Sequence, residues 1–121
     1  MKQVLVVDDS AVIRKVARRI LEGLHFRTSE AAGGKAALEE CAKAMPDVVL
    51  LDWNMPEMDG FEVLGALRRM PGGSTPKIVF CGTENEVGHI ARAMHAGADE
   101  YMMKPFDQNI VRSKFEEIGL V

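Results

Sequence analysis

Five short runs that fit strands, four of them mainly apolar, alternate along the chain with five amphipathic stretches, and no linker separates them. The runs are VLVV from Val4, FRTSEA from Phe26, VVLL from Val48, KIVFCG from Lys77 and EYMM from Glu100. Short apolar runs bounded by turn signals predict buried strands, whereas apolar residues three and four positions apart predict helices. The alternation therefore predicts an α/β fold with a parallel sheet that helices cover on both faces.

Each predicted helix carries an apolar stripe that we assign to the core. These stripes include Val16 in the first helix, Val87 and Met94 in the fourth, and Ile110 in the fifth. The second strand is more polar than the others, so we expect it at a sheet edge. Right-handed crossovers then favour one doubly wound, flavodoxin-like sheet of strand order 2-1-3-4-5 with five helices. We expect a single domain over residues 1–121, with no output domain.

The charge balance argues against two classes of partner. A net charge of -3 leaves no electrostatic footprint for nucleic acid or for an anionic membrane. The basic stretch RKVARR, from Arg14 to Arg19, fits the solvated face of a helix better than a binding patch. No apolar run approaches the roughly 20 residues that a membrane-spanning helix needs. We therefore expect no nucleic-acid or membrane partner.

The cysteines and histidines show no metal or disulfide pattern. Cys41 and Cys81 are far apart in apolar stretches, as is typical of reduced thiols in a cytoplasmic protein. His25 is isolated. His95 follows His89 by six positions, a spacing that turns the two side chains away from each other on a helix. We therefore look for the functional site among other residue types.

Polar residues follow four of the five predicted strands. Asp8 and Asp9 come after the first strand, Asp52 ends the third, Thr83 follows the fourth and Lys104 follows the fifth. The carboxyl ends of parallel strands meet at one sheet edge, which is where open α/β sheets place their sites. Alone, Asp8 or Asp9 would be interpreted as a helix cap and Lys104 as an exposed lysine. Their joint placement predicts one common site.

The chemistry of this set indicates a metal ion and a phosphoryl group. Three neighbouring carboxylates repel one another unless a cation compensates them, and Mg²⁺ prefers oxygen ligands of this kind. Lys104 adds an ammonium group and Thr83 adds a hydroxyl donor. Asp52 stands alone on a central strand, so it is the expected nucleophile toward phosphorus, with the other groups stabilising the acyl phosphate.

The motifs VVDDS, LLDWNMPEMDG and MKPF, together with Thr83, resemble the receiver domain of two-component response regulators. The resemblance runs along the whole chain, with the motifs in the order and spacing of that family. It implies that Asp52 accepts a phosphoryl group. It also implies that Mg²⁺ is bound directly by Asp9, Asp52 and the backbone carbonyl of Asn54, with Asp8 acting through water.

The same resemblance implies how phosphorylation at the site would change a surface that binds another protein. Lys104 would hold a phosphoryl oxygen, next to a cis Lys104–Pro105 bond. Thr83 and Tyr101 would move together as a switch and reshape the face of the fourth helix, fifth strand and fifth helix, where a downstream protein docks. The donor would be a histidine kinase or a phosphotransfer protein. Such a protein catalyses only its own phosphorylation and dephosphorylation, so we expect no other enzymatic activity.

Within the family, the chain resembles stand-alone receivers of the chemotaxis type. Trp53 and Tyr101 suit that subgroup, and the tail from Glu100 to Val121 is similar to chemotaxis regulators of alphaproteobacteria. The alternatives are a phosphorelay intermediate or phosphate sink, and a degenerate receiver that acts as a scaffold. The complete acidic set disfavours the degenerate receiver.

Further residues are expected to modulate the site. Asn54 and Asn85 occupy the variable positions nearest the attacking water in this family, and Glu84 stands where receivers usually have a small residue. We hypothesise that the Glu84 carboxylate lengthens or restricts phosphorylation by repulsion. The alternative is that Glu84 points to solvent at the start of a helix. Gly82 and Gly88 bracket the start of the fourth helix, which we predict to be the most mobile.

Two other classes of protein fit the residues less well. A flavodoxin-type cofactor binder needs a phosphate-binding loop after the first strand, where Asp8 and Asp9 would repel a phosphate. A dehalogenase-type phosphatase would have its nucleophile after the first strand, in a D-x-D spacing that this chain lacks.

Overall fold

The computed structural model describes residues 1–83 and 87–121. The elements of these residues follow one another as β1 (Gln3–Val7), α1 (Ala11–Gly23), β2 (Arg27–Ala31), α2 (Gly34–Lys43), β3 (Val48–Asp52), α3 (Gly60–Arg69), β4 (Lys77–Gly82), α4 (Val87–His95), β5 (Glu100–Met103) and α5 (Gln108–Glu117). The strands are parallel and lie in the order β2-β1-β3-β4-β5, which confirms the predicted topology and the edge position of β2. None of the described helices has the length and apolar content needed to cross a membrane.

The strand β3 is buried on both faces because consecutive side chains of a strand point to opposite sides of the sheet. Val49 and Leu51 belong to the apolar cluster on the side of α2, α3 and α4. Val48 and Leu50 belong to the cluster on the side of α1 and α5. Packing from both sides fixes the position of Asp52, the last residue of this strand.

Part of the core prediction was wrong. Val87 is 80% exposed, Met94 43%, Val16 42% and Ile110 39%, although helical periodicity assigned all four side chains to the core. Periodicity locates an apolar stripe on a helix. Where this stripe is wider than the surface that packs against the sheet, the residues at its border remain exposed to solvent. Val87 and Met94 lie on α4 and Ile110 lies on α5, so three of these four exposed residues lie on two helices.

Arg68, near the end of α3, connects loops at the amino edge of the sheet. Its guanidinium group donates to the backbone carbonyls of Gly73, Pro76 and Gly97 at 3.0, 2.8 and 2.7 Å. It also donates to Oδ2 of Asp99 at 3.1 Å. One side chain therefore satisfies three loop carbonyls and one carboxylate at the edge opposite to Asp52.

Both cysteines are free and buried, in agreement with the prediction from their sequence positions. Burial raises the pKa of Cys41 to about 11, with a further contribution from the charge of Glu40. Burial also raises the pKa of Cys81. Both thiols therefore stay protonated at neutral pH, and neither is activated as a nucleophile.

Candidate functional site

The three carboxylates that the sequence predicts at one sheet edge meet there. One ligand oxygen from each of Asp8, Asp9 and Asp52 lies within 4.8 Å of the other two. Asp52 ends β3, and Asp8 follows β1, the neighbouring strand. Asp8 and Asp52 are only 3% and 5% exposed, whereas Asp9 is exposed. The site thus combines two buried carboxylates with a third that faces solvent.

Asp8 does not cap the first helix. Ser10 is the N-cap of α1, and its side chain accepts a hydrogen bond from the backbone N–H of Ile13. The Asp8 carboxylate instead accepts a hydrogen bond from the backbone N–H of Ser10 on Oδ1 at 2.9 Å. Its Oδ2 accepts from Lys104 at 2.6 Å. Both oxygens of this buried carboxylate therefore have partners, which fix its orientation beside Asp52.

Lys104 supplies the positive charge of the site. Its Nζ lies 2.6 Å from Oδ2 of Asp8 and 3.1 Å from Oδ1 of Asp52. The Lys104–Pro105 bond is cis, as predicted. Burial acts to lower the pKa of Lys104, but the hydrogen bonds and charges of Asp8 and Asp52 outweigh it and raise the pKa. Lys104 is therefore an ammonium group that bridges two carboxylates.

The nucleophile candidate Asp52 has a perturbed pKa. Burial and then the charge of Asp8 raise this pKa from 3.8 to about 6, although Lys104 acts in the opposite direction. Three carboxylates against one ammonium leave two negative charges uncompensated. A hard divalent cation would compensate them, and carboxylate oxygens are the ligands that Mg²⁺ prefers. The donor set therefore fits this ion.

Asn54 lies in the loop that leaves Asp52, and its side chain is exposed. Gly60, the first residue of α3, returns this loop to the strand, because its N–H donates to the carbonyl of Trp53 at 2.9 Å. A Cβ atom on Gly60 would lie 2.6 Å from the backbone oxygen of Asp52. Only glycine permits this close approach. The loop with Asn54 is thereby folded against the end of β3.

The two predicted switch residues differ in burial. Thr83 directly follows β4 and is exposed, and Cys81, two residues earlier, is the pairing partner of Asp52. Tyr101 on β5 is 5% exposed, with its ring 6.2 Å from the ring of Phe80. Thr83 therefore lies at the same edge as the carboxylates, while Tyr101 is part of the core. Glu84 and Asn85, expected to modulate the site, lie outside the described residues.

Trp53, the residue after Asp52, links the site to α4. Its ring lies 4.5 Å from the ring of His89 and 6.2 Å from the ring of Phe61. It also packs on Gly82, where a Cβ atom would lie only 2.2 Å from the indole Cδ1. The absence of a side chain at Gly82 therefore makes room for the indole ring between β4 and α4.

Sequence reasoning missed the contact of Arg14 with the acidic loop. The Nη1 group of Arg14 donates to the backbone carbonyl of Asp8 at 2.7 Å, and Nε donates to Oε1 of Glu30 at 2.7 Å. The sequence assigned Arg14 to a solvated helix face, yet its side chain is 14% exposed. A signal was present, because side chains in the first turns of a helix lean toward its amino end and so toward the preceding loop.

Comparison with known proteins agrees with this geometry. Residues 4–116 match the model of the response regulator receiver domain family. The chain is 31% identical to the chemotaxis protein CheY of Listeria monocytogenes, over 97% of this chain and 98% of that protein. Its structure is similar to that of the chemotaxis protein CheY4 of Vibrio cholerae, with a TM-score of 0.92, 31% identity and 98% of each chain covered.

A longer relative matches through only part of its length. The protein-glutamate methylesterase/protein-glutamine glutaminase of Nocardioides sp. is 40% identical over 96% of this chain. The matched region makes up only 32% of the length of that relative. The family match, in contrast, covers all five strands except Gln3, the first residue of β1. It also includes every residue of the acidic site. The chain belongs to the receiver domain family of two-component response regulators, and its homologues include chemotaxis proteins of the CheY type.

Proposed function

We propose that Asp52 accepts a phosphoryl group from a histidine kinase or a histidine phosphotransfer protein. The observation that carries this proposal is the buried Asp52 carboxylate, with Lys104 Nζ at 3.1 Å and the carboxylates of Asp8 and Asp9 beside it. Phosphoryl transfer depends mainly on positioning and on charge neutralisation. A carboxylate fixed at the end of a central strand meets the first requirement, and Lys104 meets part of the second.

The transfer exchanges one bond to phosphorus for another. A carboxylate oxygen of Asp52 forms a bond to phosphorus while the bond from phosphorus to the donor imidazole nitrogen breaks. The electron pair of that bond stays on the imidazole, which then takes up a proton. The Lys104 ammonium stands beside Asp52 and can donate to the transferred group, and the Thr83 hydroxyl at the same edge is a second donor.

The acidic residues would hold Mg²⁺. Asp9 and Asp52 would be direct ligands together with the backbone carbonyl of Asn54, and Asp8 would act through water. This ion supplies positive charge that neutralises both the carboxylates and the incoming phosphoryl oxygens. Support comes from the two negative charges that Lys104 leaves uncompensated among the three carboxylates.

Phosphorylation would change the face formed by α4, β5 and α5, through Thr83 and Tyr101. This face carries exposed apolar side chains at Val87, Met94 and Ile110, which a downstream protein could cover. A shift between two conformations of the face needs only a few kcal/mol of differential stabilisation. The chemotaxis homologues favour a partner in chemotaxis or motility signalling, and a non-enzymatic role for this chain.

The test is incubation of the purified protein with a small phosphodonor, such as an acyl phosphate, with and without Mg²⁺. Phosphate-affinity gels and intact mass should detect one phosphoryl group in the wild-type protein only with Mg²⁺, and none in Asp52→Asn. Asp47→Asn is the matched control, because Asp47 is an exposed aspartate just before β3 at the opposite sheet edge. Modification without Mg²⁺, or modification that persists in Asp52→Asn, would overturn the proposal.

A further inference from the structure

Arg14 forms a bridge between the acidic loop and the end of β2. Its Nη1 group donates to the backbone carbonyl of Asp8 at 2.7 Å. Its Nε donates to Oε1 of Glu30 on β2 at the same distance. The side chain of Arg14 is 14% exposed, whereas that of Glu30 is 35% exposed. The guanidinium group is therefore held from two sides in a largely buried position.

The Asp8 carbonyl belongs to the peptide that joins Asp8 to Asp9. The other groups of Asp8 are already held, because its N–H donates to the carbonyl of Ala31 at 3.2 Å and its carboxylate accepts from Ser10 and Lys104. Arg14 fixes the remaining polar atom of Asp8 and thereby the plane of the next peptide. A planar peptide determines the direction in which Asp9 leaves the strand.

Glu30 in turn orients Arg14. Its second carboxylate oxygen, Oε2, accepts from Nη1 of Arg18 at 2.6 Å, so two arginines bind one carboxylate. The hydrogen bond from Arg14, followed by that from Arg18, lowers the pKa of Glu30. Glu30 therefore stays ionised at neutral pH and keeps its hold on Arg14. A guanidinium fork can serve two acceptors at a fixed angle, which an ammonium group does not impose.

We propose that Arg14 is a positioning residue for the metal site, which holds the Asp8–Asp9 peptide so that the Asp9 carboxylate points to the ion. This inference rests on the proposed function, since it assumes that Asp9 is a ligand of Mg²⁺. Arg14 itself touches neither the ion nor the phosphoryl group. Its effect passes through one backbone carbonyl, and partners one step outside a metal's ligands commonly change metal affinity about 10- to 100-fold.

A purely electrostatic role for Arg14 predicts the opposite result. Removal of a positive charge near three carboxylates would strengthen binding of a cation, and removal of the Glu30 charge would weaken it. A positioning role predicts that loss of either residue weakens binding, because each is needed to hold the peptide. The two substitutions therefore change Mg²⁺ affinity in the same direction only if Arg14 acts by positioning.

The experiment measures the Kd of Mg²⁺ from backbone amide shifts in ¹⁵N NMR spectra of the whole chain. The same spectra report whether each variant keeps the wild-type fold. We expect Arg14→Met to raise the Kd about tenfold. Glu30→Gln should also raise it, and the double variant should add little to Arg14→Met, because both residues act through one contact. Arg14→Lys keeps the charge but loses the fork, and should also bind Mg²⁺ more weakly than the wild type.

Arg18→Met is the matched control. It removes a guanidinium group that also binds Glu30 but makes no hydrogen bond to Asp8, so its Kd should stay within about twofold of the wild type. A Kd of Arg14→Met equal to or below that of a wild-type protein that binds Mg²⁺ would overturn this inference alone. A wild-type protein that binds no Mg²⁺ would overturn the proposed function, and this inference with it.

Discussion

The ammonium group of Lys104 lies 3.1 Å from Oδ1 of Asp52, and both side chains are almost completely buried. The same ammonium lies 2.6 Å from Oδ2 of Asp8. One positive charge is thus shared by two buried negative charges in a region that water reaches poorly. The stability of the metal-free protein should therefore depend strongly on this one side chain.

Replacement of Lys104 by methionine should destabilise the metal-free protein by about 3 kcal/mol, because it leaves Asp8 and Asp52 buried without a counter-charge. Urea unfolding at neutral pH in the presence of a chelator measures the loss. Lys114→Met is the control, since Lys114 lies 3.5 Å from Glu100 with its side chain 32% exposed, and such pairs contribute less than about 1 kcal/mol. Equal losses in the two variants would contradict this account of Lys104.

Asp52→Asn should be more stable than the wild type at neutral pH without Mg²⁺. The pKa of Asp52 is raised from 3.8 to about 6, so the folded state holds this proton more tightly than the unfolded state. The stabilisation from the bound proton is fully present below the unfolded pKa and is lost as pH rises through the folded pKa. This difference in pKa between the folded and unfolded states corresponds to about 3 kcal/mol at most.

The measurement is the free energy of unfolding from about pH 4 to pH 7 in a chelator. The difference between Asp52→Asn and the wild type should grow as pH rises toward about 6 and should then level off. A difference that stays constant with pH would mean that the pKa of Asp52 is not raised in the folded protein.

Gly82 at the end of β4 and Gly88 in the first turn of α4 should respond to alanine in opposite ways. A Cβ atom at Gly82 would lie 2.2 Å from Cδ1 of Trp53, so Gly82→Ala should displace the indole ring and cost about 1–3 kcal/mol. A Cβ atom at Gly88 meets nothing within 4 Å, and Gly88→Ala should stabilise the helix by about 0.5–1 kcal/mol. Urea unfolding gives both values, and a red shift of Trp53 fluorescence should accompany only Gly82→Ala.

Arg68→Met should destabilise the protein by about 2–4 kcal/mol, because three loop carbonyls and Asp99 each lose a charged donor. Arg69→Met is the neighbouring control, since Arg69 is exposed at the end of the same helix. Its effect should stay within about 0.5 kcal/mol. Thermal unfolding of the two variants decides the matter, and a similar melting temperature for both would contradict a stabilising role for Arg68.

The fold and the acidic site could be predicted because each rests on local patterns. Apolar runs and helical stripes determine the elements, and the carboxyl ends of parallel strands bring Asp8, Asp9, Asp52 and Lys104 together whatever the details of packing. The ion pair of Arg14 with Glu30 depends instead on the packing of α1 against β2, because Glu30 is 16 positions away and no local pattern connects the two residues. When a long side chain has several acceptors in reach, only the assembled structure shows which of them it contacts.

The exposed apolar residues show a second limit of sequence reasoning. Helical periodicity assigned Val87, Met94 and Ile110 to the core in the same way as Val111, although only Val111 is buried among the four. An apolar side chain that packs in the core and one that could pack against a partner look the same in a sequence, because both avoid water. The difference between them appears only when the sheet and the neighbouring helices are in place.

The mobility of α4 remains a prediction that hydrogen exchange can test. Ala93 is the one buried residue in the described part of this helix. By contrast, α1 has two buried residues, Ala17 and Leu21, and is capped by Ser10. Few buried contacts and Gly88 within the helix favour local opening. We expect the amides of α4 to exchange at least about tenfold faster than those of α1 in the unphosphorylated protein, and Gly88→Ala to slow them. Equal protection of the two helices, measured by mass spectrometry or NMR, would contradict this expectation.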